Sequence, residues 1–405
     1  MKPDANLEAI YAGAFLPYDR PLRADELMDE AARAVGAADW GGKRWGEDGF
    51  RKRLHALCES LETESNLTPI GRSRAHGRLH TMLCSRLRVI QWRKDGTAER
   101  PIVKPLIGTG LARAGTSFLH QLLAQDPDNQ SAATAESACP VPPPGDPVVD
   151  AERQALATRM LDFQGLLSPE VEAVHPFAAD GPDECSSIQE HACSTLYLAF
   201  WNVPSFLKGA NADVADLLEW EKGVLQVLQS QRTATRWVLK WPDYLQHWDA
   251  MWTAFPDAMV FLNHRDPAKT VASAGSLLTT FRRLNSNSVL DPKHLGPAML
   301  AGTMAHMEHV AKWRAAHPQV TVVDVHYKQL VADPIGEVER LYASFGLSLT
   351  PRARERMESF LKINRHGQGK AHRYDLADIG LDEAMVEEIC GTYIDTFGIA
   401  RERRN

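Results

Sequence analysis

The chain has no apolar run approaching the ~20 residues that a membrane-spanning helix needs. Its first twenty residues, MKPDANLEAIYAGAFLPYDR, lack the apolar centre of a secretion signal. Cysteine is sparse, six in 405 residues (Cys58, Cys84, Cys139, Cys185, Cys193 and Cys390), and never spaced C-x-x-C. Neither a zinc site nor a disulfide framework is indicated, and a reducing cytoplasm is the expected location. Excess positive charge is also missing. The formal net charge of −7 argues against general nucleic-acid binding, so an anionic ligand would have to be held by local cations. What remains, 44% hydrophobic and 24% charged residues, is ordinary for a globular protein, and 405 residues suffice for a large core and two domains.

One further absence narrows the chemistry. Pro105–Asp126 (PLIGTGLARAGTSFLHQLLAQD) reads as a short apolar strand, a glycine-bearing turn and a helix whose stripe is Phe118, Leu119, Leu122 and Leu123. Such a turn leaves backbone N–H groups at a helix N-terminus, where the helix dipole favours an anion. Gly110 and Gly115 match the two glycines of G-x-x-x-x-G-K-[ST], but Thr116 stands where the lysine belongs. The clamp for a nucleoside triphosphate is therefore missing, and no downstream acidic residue on a strand stands out to hold magnesium. The cation lies three places earlier, at Arg113, with Thr116 and Ser117 adding hydroxyls. Read more plainly, the same stretch is a strand–turn–helix whose glycines serve geometry alone.

Residues 1–100 carry helical periodicity over Ala24–Val35, Gly49–Leu61 and Gly71–Trp92, broken at Asp39-Trp40-Gly41-Gly42 and Thr68-Pro69-Ile70-Gly71. A helical N-terminal cap over 1–100 is expected, followed by an α/β domain over 101–405 with a helical segment at about 150–235. The run Cys139-Pro140-Val141-Pro142-Pro143-Pro144 cannot continue a helix or a central strand. Glu136, just before it, falls where the next strand should end. The middle segment has aromatic turns (His175-Pro176-Phe177, Tyr197, Phe200-Trp201, Phe206) and the acidic turn Asp180–Cys185, which suit either a core and solvated loop or an apolar pocket.

Arg236–Lys240 and Ala258–Asn263 read as buried strands, and Gln319–Val325 as a third; a helix should run from Asp243 to Phe255. Asp266-Pro267 and Asp333-Pro334 open helices, aspartate as cap and proline as first residue. Strands alternating with helices indicate a central parallel sheet with helices on both faces. Consecutive right-handed units bring Arg113, Lys240 and Arg265 to one sheet edge, where ligands sit. The terminal run Arg401–Asn405 reads as a solvated tail.

These motifs resemble the sulfotransferases that use 3′-phosphoadenosine 5′-phosphosulfate (PAPS), in particular their bacterial branch. Arg113-Ala114-Gly115-Thr116-Ser117 is similar to the loop [K/R]-[S/A]-G-T-[T/S] that holds the 5′-phosphosulfate. Arg265 and Ser273, eight apart in R-D-P-x-K-x-V-x-S, resemble the pair that grips the 3′-phosphate. Tyr327, Leu330, Asp333 and Pro334 match Y-x-x-L-x-x-D-P, whose tyrosine approaches the adenine. Leu67-Thr68-Pro69-Ile70-Gly71 fits the branch's L-T-P-x-G, and the stretch around Lys370, His372 and Tyr374 resembles its closing lid.

The resemblance implies a P-loop-like phosphate-binding loop in an α/β fold and transfer of a sulfuryl group from PAPS, leaving PAP, to a hydroxyl of a small, lipophilic acceptor. No metal is implied. Arg113 and Lys240 would stabilise charge, and Glu136 would be the general base, although Ala135 stands where relatives carry an aromatic residue. Pro242 occupies the place of the histidine that animal cytosolic members use, leaving His264 as the second candidate base. The rivals are an ATP-dependent small-molecule kinase and a non-catalytic nucleotide-binding protein. The acceptor, O- versus N-transfer and the subunit number are not encoded in these motifs.

Overall fold

The computed structural model describes residues 17–94, 100–167, 178–193, 201–209, 214–287, 295–364 and 375–402, together with Leu7 and Lys293. The chain divides into two compact units. One comprises residues 1–102, 132–233 and 278–289; the other comprises 103–131, 234–277 and 290–405. The middle segment expected to belong with the sheet is thus grouped with the N-terminal helices.

The second unit holds a five-stranded sheet: β1 (Leu106–Gly110), β2 (Asn129–Gln130), β3 (Arg236–Lys240), β4 (Met259–His264) and β5 (Val322–His326). Its order is β2-β3-β1-β4-β5, and every pairing is parallel. The chain first builds toward one side of β1 and then toward the other, so β1 stands at the point where the winding reverses. In such sheets that crevice, beyond the strands' carboxyl ends, is where ligands bind. β1 and β4 are buried along their whole length, as a sheet covered on both faces requires.

One face carries Leu106, Val238, Met259, Phe261, Val323 and Val325, packed against Phe118, Leu119, Leu122 and Leu123 of the helix Thr116–Leu123 and Val338 and Leu341 of Pro334–Ser344. The stripe expected on the loop helix is this contact. The other face is closed by Leu295–Ala316 and Glu383–Phe397. There the buried His264 ring hydrogen-bonds Tyr393 Oη (2.9 Å) and Asp324 Oδ1 (2.9 Å) and stacks on Phe397, while Arg314 grips both Asp324 oxygens at 2.7 and 3.0 Å.

Some sequence expectations shift. The helix expected over 243–255 is split into a 3₁₀ turn, Pro242–Leu245, and a helix, Trp248–Ala254, because His247 leaves helical geometry at φ −110°, ψ 29°. The third strand begins three residues late, at Val322. Asp333 caps its helix as read, accepting from Gly336 N–H at 2.9 Å.

Burial pushes the Asp324 carboxyl up, but the bonds from His264 and Arg314 outweigh it and hold the group down at about 2. Burial holds the His264 imidazole below its usual range, against the pull of Asp324. A depressed carboxylate contributes stability that is present above its unfolded value and lost as pH falls toward the folded one. A depressed histidine acts in the same direction, because below its unfolded value only the unfolded chain takes the proton. Both make acid destabilising. Asp324→Asn should therefore cost about 2 kcal/mol at pH 7, read by urea unfolding, and the gap to wild type should narrow between pH 5 and pH 3.

In the first unit, the helices Glu47–Thr63, Pro69–Lys94 and Val214–Gln229 pack around a wholly buried arginine. The Arg86 guanidinium lies between the Phe50 and Trp220 rings (4.1 and 4.5 Å) and donates to the carbonyls of Trp40, Trp45 and His191. Charge buried this way is tolerated because both terminal nitrogens donate to backbone oxygens and the faces meet π clouds, although Nε has no partner among the described residues. Trp201 and Phe206 of the middle segment are core residues. His175, Phe177, Tyr197 and Phe200 lie outside the described residues.

Candidate active site

The strand register keeps the functional ends level. Gly108 lies opposite Lys240, Gly110 opposite Asn263, and His264 opposite His326. At Gly110 (φ +128°) a Cβ would come within 2.3 Å of the Asn263 carbonyl, so only glycine lets β1 leave the sheet this tightly against β4. The turn is pinned by Leu111 N–H donating to the Asn263 carbonyl at 3.3 Å and Ala114 N–H to Leu111 O at 3.1 Å. Arg113 takes φ +68°, a strained conformation for a side-chain-bearing residue and a feature that gathers at ligand sites. Gly115 (φ +84°) then caps the helix Thr116–Leu123, with Ala114 and Thr116 buried beside it.

Onto this turn three cations converge. Lys240, the last residue of β3 and only 2% exposed, donates from Nζ to Ser117 Oγ at 3.2 Å. Arg113 donates from Nε to Ser273 Oγ at 3.0 Å. Arg265, just past β4, donates from Nη1 to the Arg113 carbonyl at 3.2 Å. Its guanidinium lies 3.8 Å over the ring of Tyr327, the first residue of the helix after β5. That ring in turn borders Gly115, where a Cβ would meet Tyr327 Cδ2 at 3.0 Å. Residues 152 positions apart are thus joined at the Arg113 carbonyl. Backbone N–H groups, hydroxyls and cations on one turn suit an anion with more than one charged group. Among the described residues no cluster of three or more His, Cys, Asp or Glu is placed to hold a metal ion.

Glu136 needs correction in its local setting. β2 ends at Gln130, and Glu136 is instead the third residue of the five-residue helix Thr134–Ala138. Its Oε2 accepts from Ala133 N–H at 2.9 Å and its Oε1 pairs with Arg232. The acidic turn is not merely solvated either: Thr134 and Ala135 donate to the carbonyls of Gly181 and Ala179, and Asp183 to Ala132. That ladder fixes the backbone from which Glu136 projects.

His264 loses its candidacy as a base. Both ring nitrogens are engaged and the ring is wholly buried, so it can neither reach a substrate nor hold a proton readily. Lys370, with His372 and Tyr374, lies outside the described residues.

Arg401 and Glu402 are the largest departure from the sequence reading, which made Arg401–Asn405 a solvated tail; 403–405 lie outside the described residues. Glu402 grips Arg265 with both carboxylate oxygens, at 2.8 Å to Nε and 2.9 Å to Nη2. Its own N–H donates to Asp266 Oδ2 at 2.7 Å, Arg401 also reaches Asp266, and Lys328 Nζ donates to the Arg401 carbonyl at 2.7 Å. Burial lowers the Arg265 pKa, but Glu402, Tyr327 and Asp266 outweigh it and raise the group above its usual value. Nothing in the composition of Arg401–Asn405 could have signalled this, because the partner lies 137 residues away.

The sulfotransferase family profile matches residues 105–351. The crystal structure of sulfotransferase STF9 from Mycobacterium avium is similar at a TM-score of 0.80 and 26% identity, covering 96% of this chain and 100% of that one. The crystal structure of sulfotransferase STF1 from Mycobacterium tuberculosis H37Rv is similar at 0.76 and 28% identity, covering 91% and 99%. No curated protein matches the chain in sequence.

Proposed function

We propose, since the chain belongs to the sulfotransferase family, that it moves a sulfuryl group from PAPS to a hydroxyl of a small, lipophilic acceptor and releases PAP. The observation that carries the donor assignment is the Arg113–Arg265 junction, which joins a 5′-type phosphate loop to a separate arginine just past β4 and a serine on the helix that follows. A donor with a single phosphate cluster has no use for the second grip. The donor set fits the bisphosphorylated nucleotide: Arg265 already holds an anion bidentately, in the form of its own chain's carboxylate.

When bound, PAPS supplies an activated sulfuryl group on a phosphate leaving group. The protein's part is positioning and charge stabilisation, as in phosphoryl transfer. Arg113 and the N–H groups of Ala114–Ser117 would hold the 5′ end, Arg265 and Ser273 would hold the 3′-phosphate, and Tyr327 would meet the adenosine; Lys370, outside the described residues, keeps only the role that the resemblance implies. Lys240 would meet the charge that grows on the leaving oxygen of the bound donor. Glu136 takes the acceptor's proton.

The test is thermal. Adenosine 3′,5′-bisphosphate (PAP) should raise Tm well above what AMP achieves at equal concentration. Arg265→Ala should weaken PAP binding by about 10–100-fold and erase the difference. Equal stabilisation of the wild type by the two nucleotides would overturn the donor assignment. A screen of phenols, sterols, fatty alcohols and sugars with labelled PAPS then identifies the acceptor.

A further inference from the structure

Glu402 stands where the second phosphate of the donor is expected to sit. It takes the Nε–Nη2 edge of Arg265, the edge that matches a carboxylate or a phosphate with two parallel bonds. The third nitrogen, Nη1, is turned to the Arg113 carbonyl, and the Tyr327 ring covers the guanidinium at 3.8 Å. An incoming phosphate therefore meets an arginine whose fork is already filled by an anion.

The placement is built. Gly398 ends the helix Glu383–Phe397 in the left-handed conformation, and Ile399 is buried with its N–H on the Ile394 carbonyl. Asp266 then receives both the Arg401 guanidinium and the Glu402 N–H, and Lys328 holds the Arg401 carbonyl. These contacts fix the backbone up to Glu402 and leave its side chain as the part that rotates.

We propose that Glu402 is a specificity-determining residue of the donor site: it occupies the 3′-phosphate seat on Arg265 in the empty enzyme and is displaced by a 3′-phosphorylated nucleotide. The inference rests on the donor assignment made above. Its physical content is a competition. A phosphate carries more charge and a third acceptor oxygen, so it displaces the carboxylate, but part of its binding free energy is spent on breaking the internal pair. A nucleotide with a free 3′-hydroxyl has no charge to set against Glu402 and leaves the pair intact. The carboxylate also shields Arg265 from small anions, which lack the adenosine contacts that make displacement favourable.

The experiment is isothermal titration of the full chain with PAP and, separately, with AMP. Glu402→Gln and Glu402→Ala remove the competing charge, and their Tm without ligand checks the fold. Both should tighten PAP binding up to about fivefold and leave AMP within about twofold. Unchanged PAP affinity in both variants would overturn the proposal, because nothing was then being displaced. Weaker PAP binding would also overturn it, making Glu402 a residue that holds Arg265 in position. Wild-type enzyme that binds PAP no better than AMP would remove the donor assignment itself, and the tail's role with it.

Discussion

Lys240→Ala is expected to lower kcat by about 10²–10³ while leaving PAP binding, read as the Tm shift, within a few-fold of wild type. The split follows from where the lysine sits. Residue 240 ends β3 beside β1, the residue is 2% exposed, and its ammonium has Ser117 Oγ 3.2 Å away. A charge so enclosed acts in a medium of low effective dielectric and is worth most where new charge develops. In sulfuryl transfer that place is the oxygen that leaves with PAP, so the interaction strengthens on passing to the transition state. A group of this kind lowers kcat and kcat/KM together when removed. Lys240→Arg should recover little, because a planar guanidinium cannot replace a compact ammonium in a closed site. An alanine variant that turns over normally would remove Lys240 from the transfer step, and one that loses PAP binding and turnover in equal measure would assign it to ground-state binding.

The parts of the site that were legible in the sequence are those with a local signature. The glycine turn from Leu106 to Leu123 declares itself by spacing and by the apolar stripe after it. Lys240 and Arg265 could be placed because a buried strand ends in each case just before or at the cation, and parallel crossovers bring such ends to one edge. Asp333-Pro334 is likewise a local pair with a local cause. What escaped the sequence has no local cause. β2 is two residues long, too short to show a period. Glu136 went from strand end to helix because its geometry is set by Arg232 and the turn at 179–183, nearly 100 and 50 residues away in the chain respectively. His264, beside Arg265, read as the second candidate base; only the helix Glu383–Phe397 and Asp324 show that it is a wholly buried strut. Arg401 and Glu402 read as solvated for the same reason, since a run of polar residues says nothing about the arginine, 137 positions away, that Glu402 meets.

Glu136→Gln is the second large effect and the sharper test of mechanism. Its carboxylate has two visible duties, the cap on Ala133 N–H and the pair with Arg232. Glutamine can keep the cap, since its amide oxygen accepts as well as a carboxylate does at the third helical position. The fold around Thr134–Ala138 should therefore survive, and Tm should fall by little. Two contacts do not exhaust a carboxylate, whose oxygens offer about four lone-pair directions, so the group can still receive a proton from an acceptor hydroxyl. Glutamine cannot. Transfer should then drop by about 10²–10⁴ with PAP affinity unchanged. The effect should shrink for acidic phenols, whose protons leave with little help, and grow for aliphatic alcohols. A uniform loss across both acceptor classes would mean that Glu136 only shapes the site; no loss at all would leave the proton to another group.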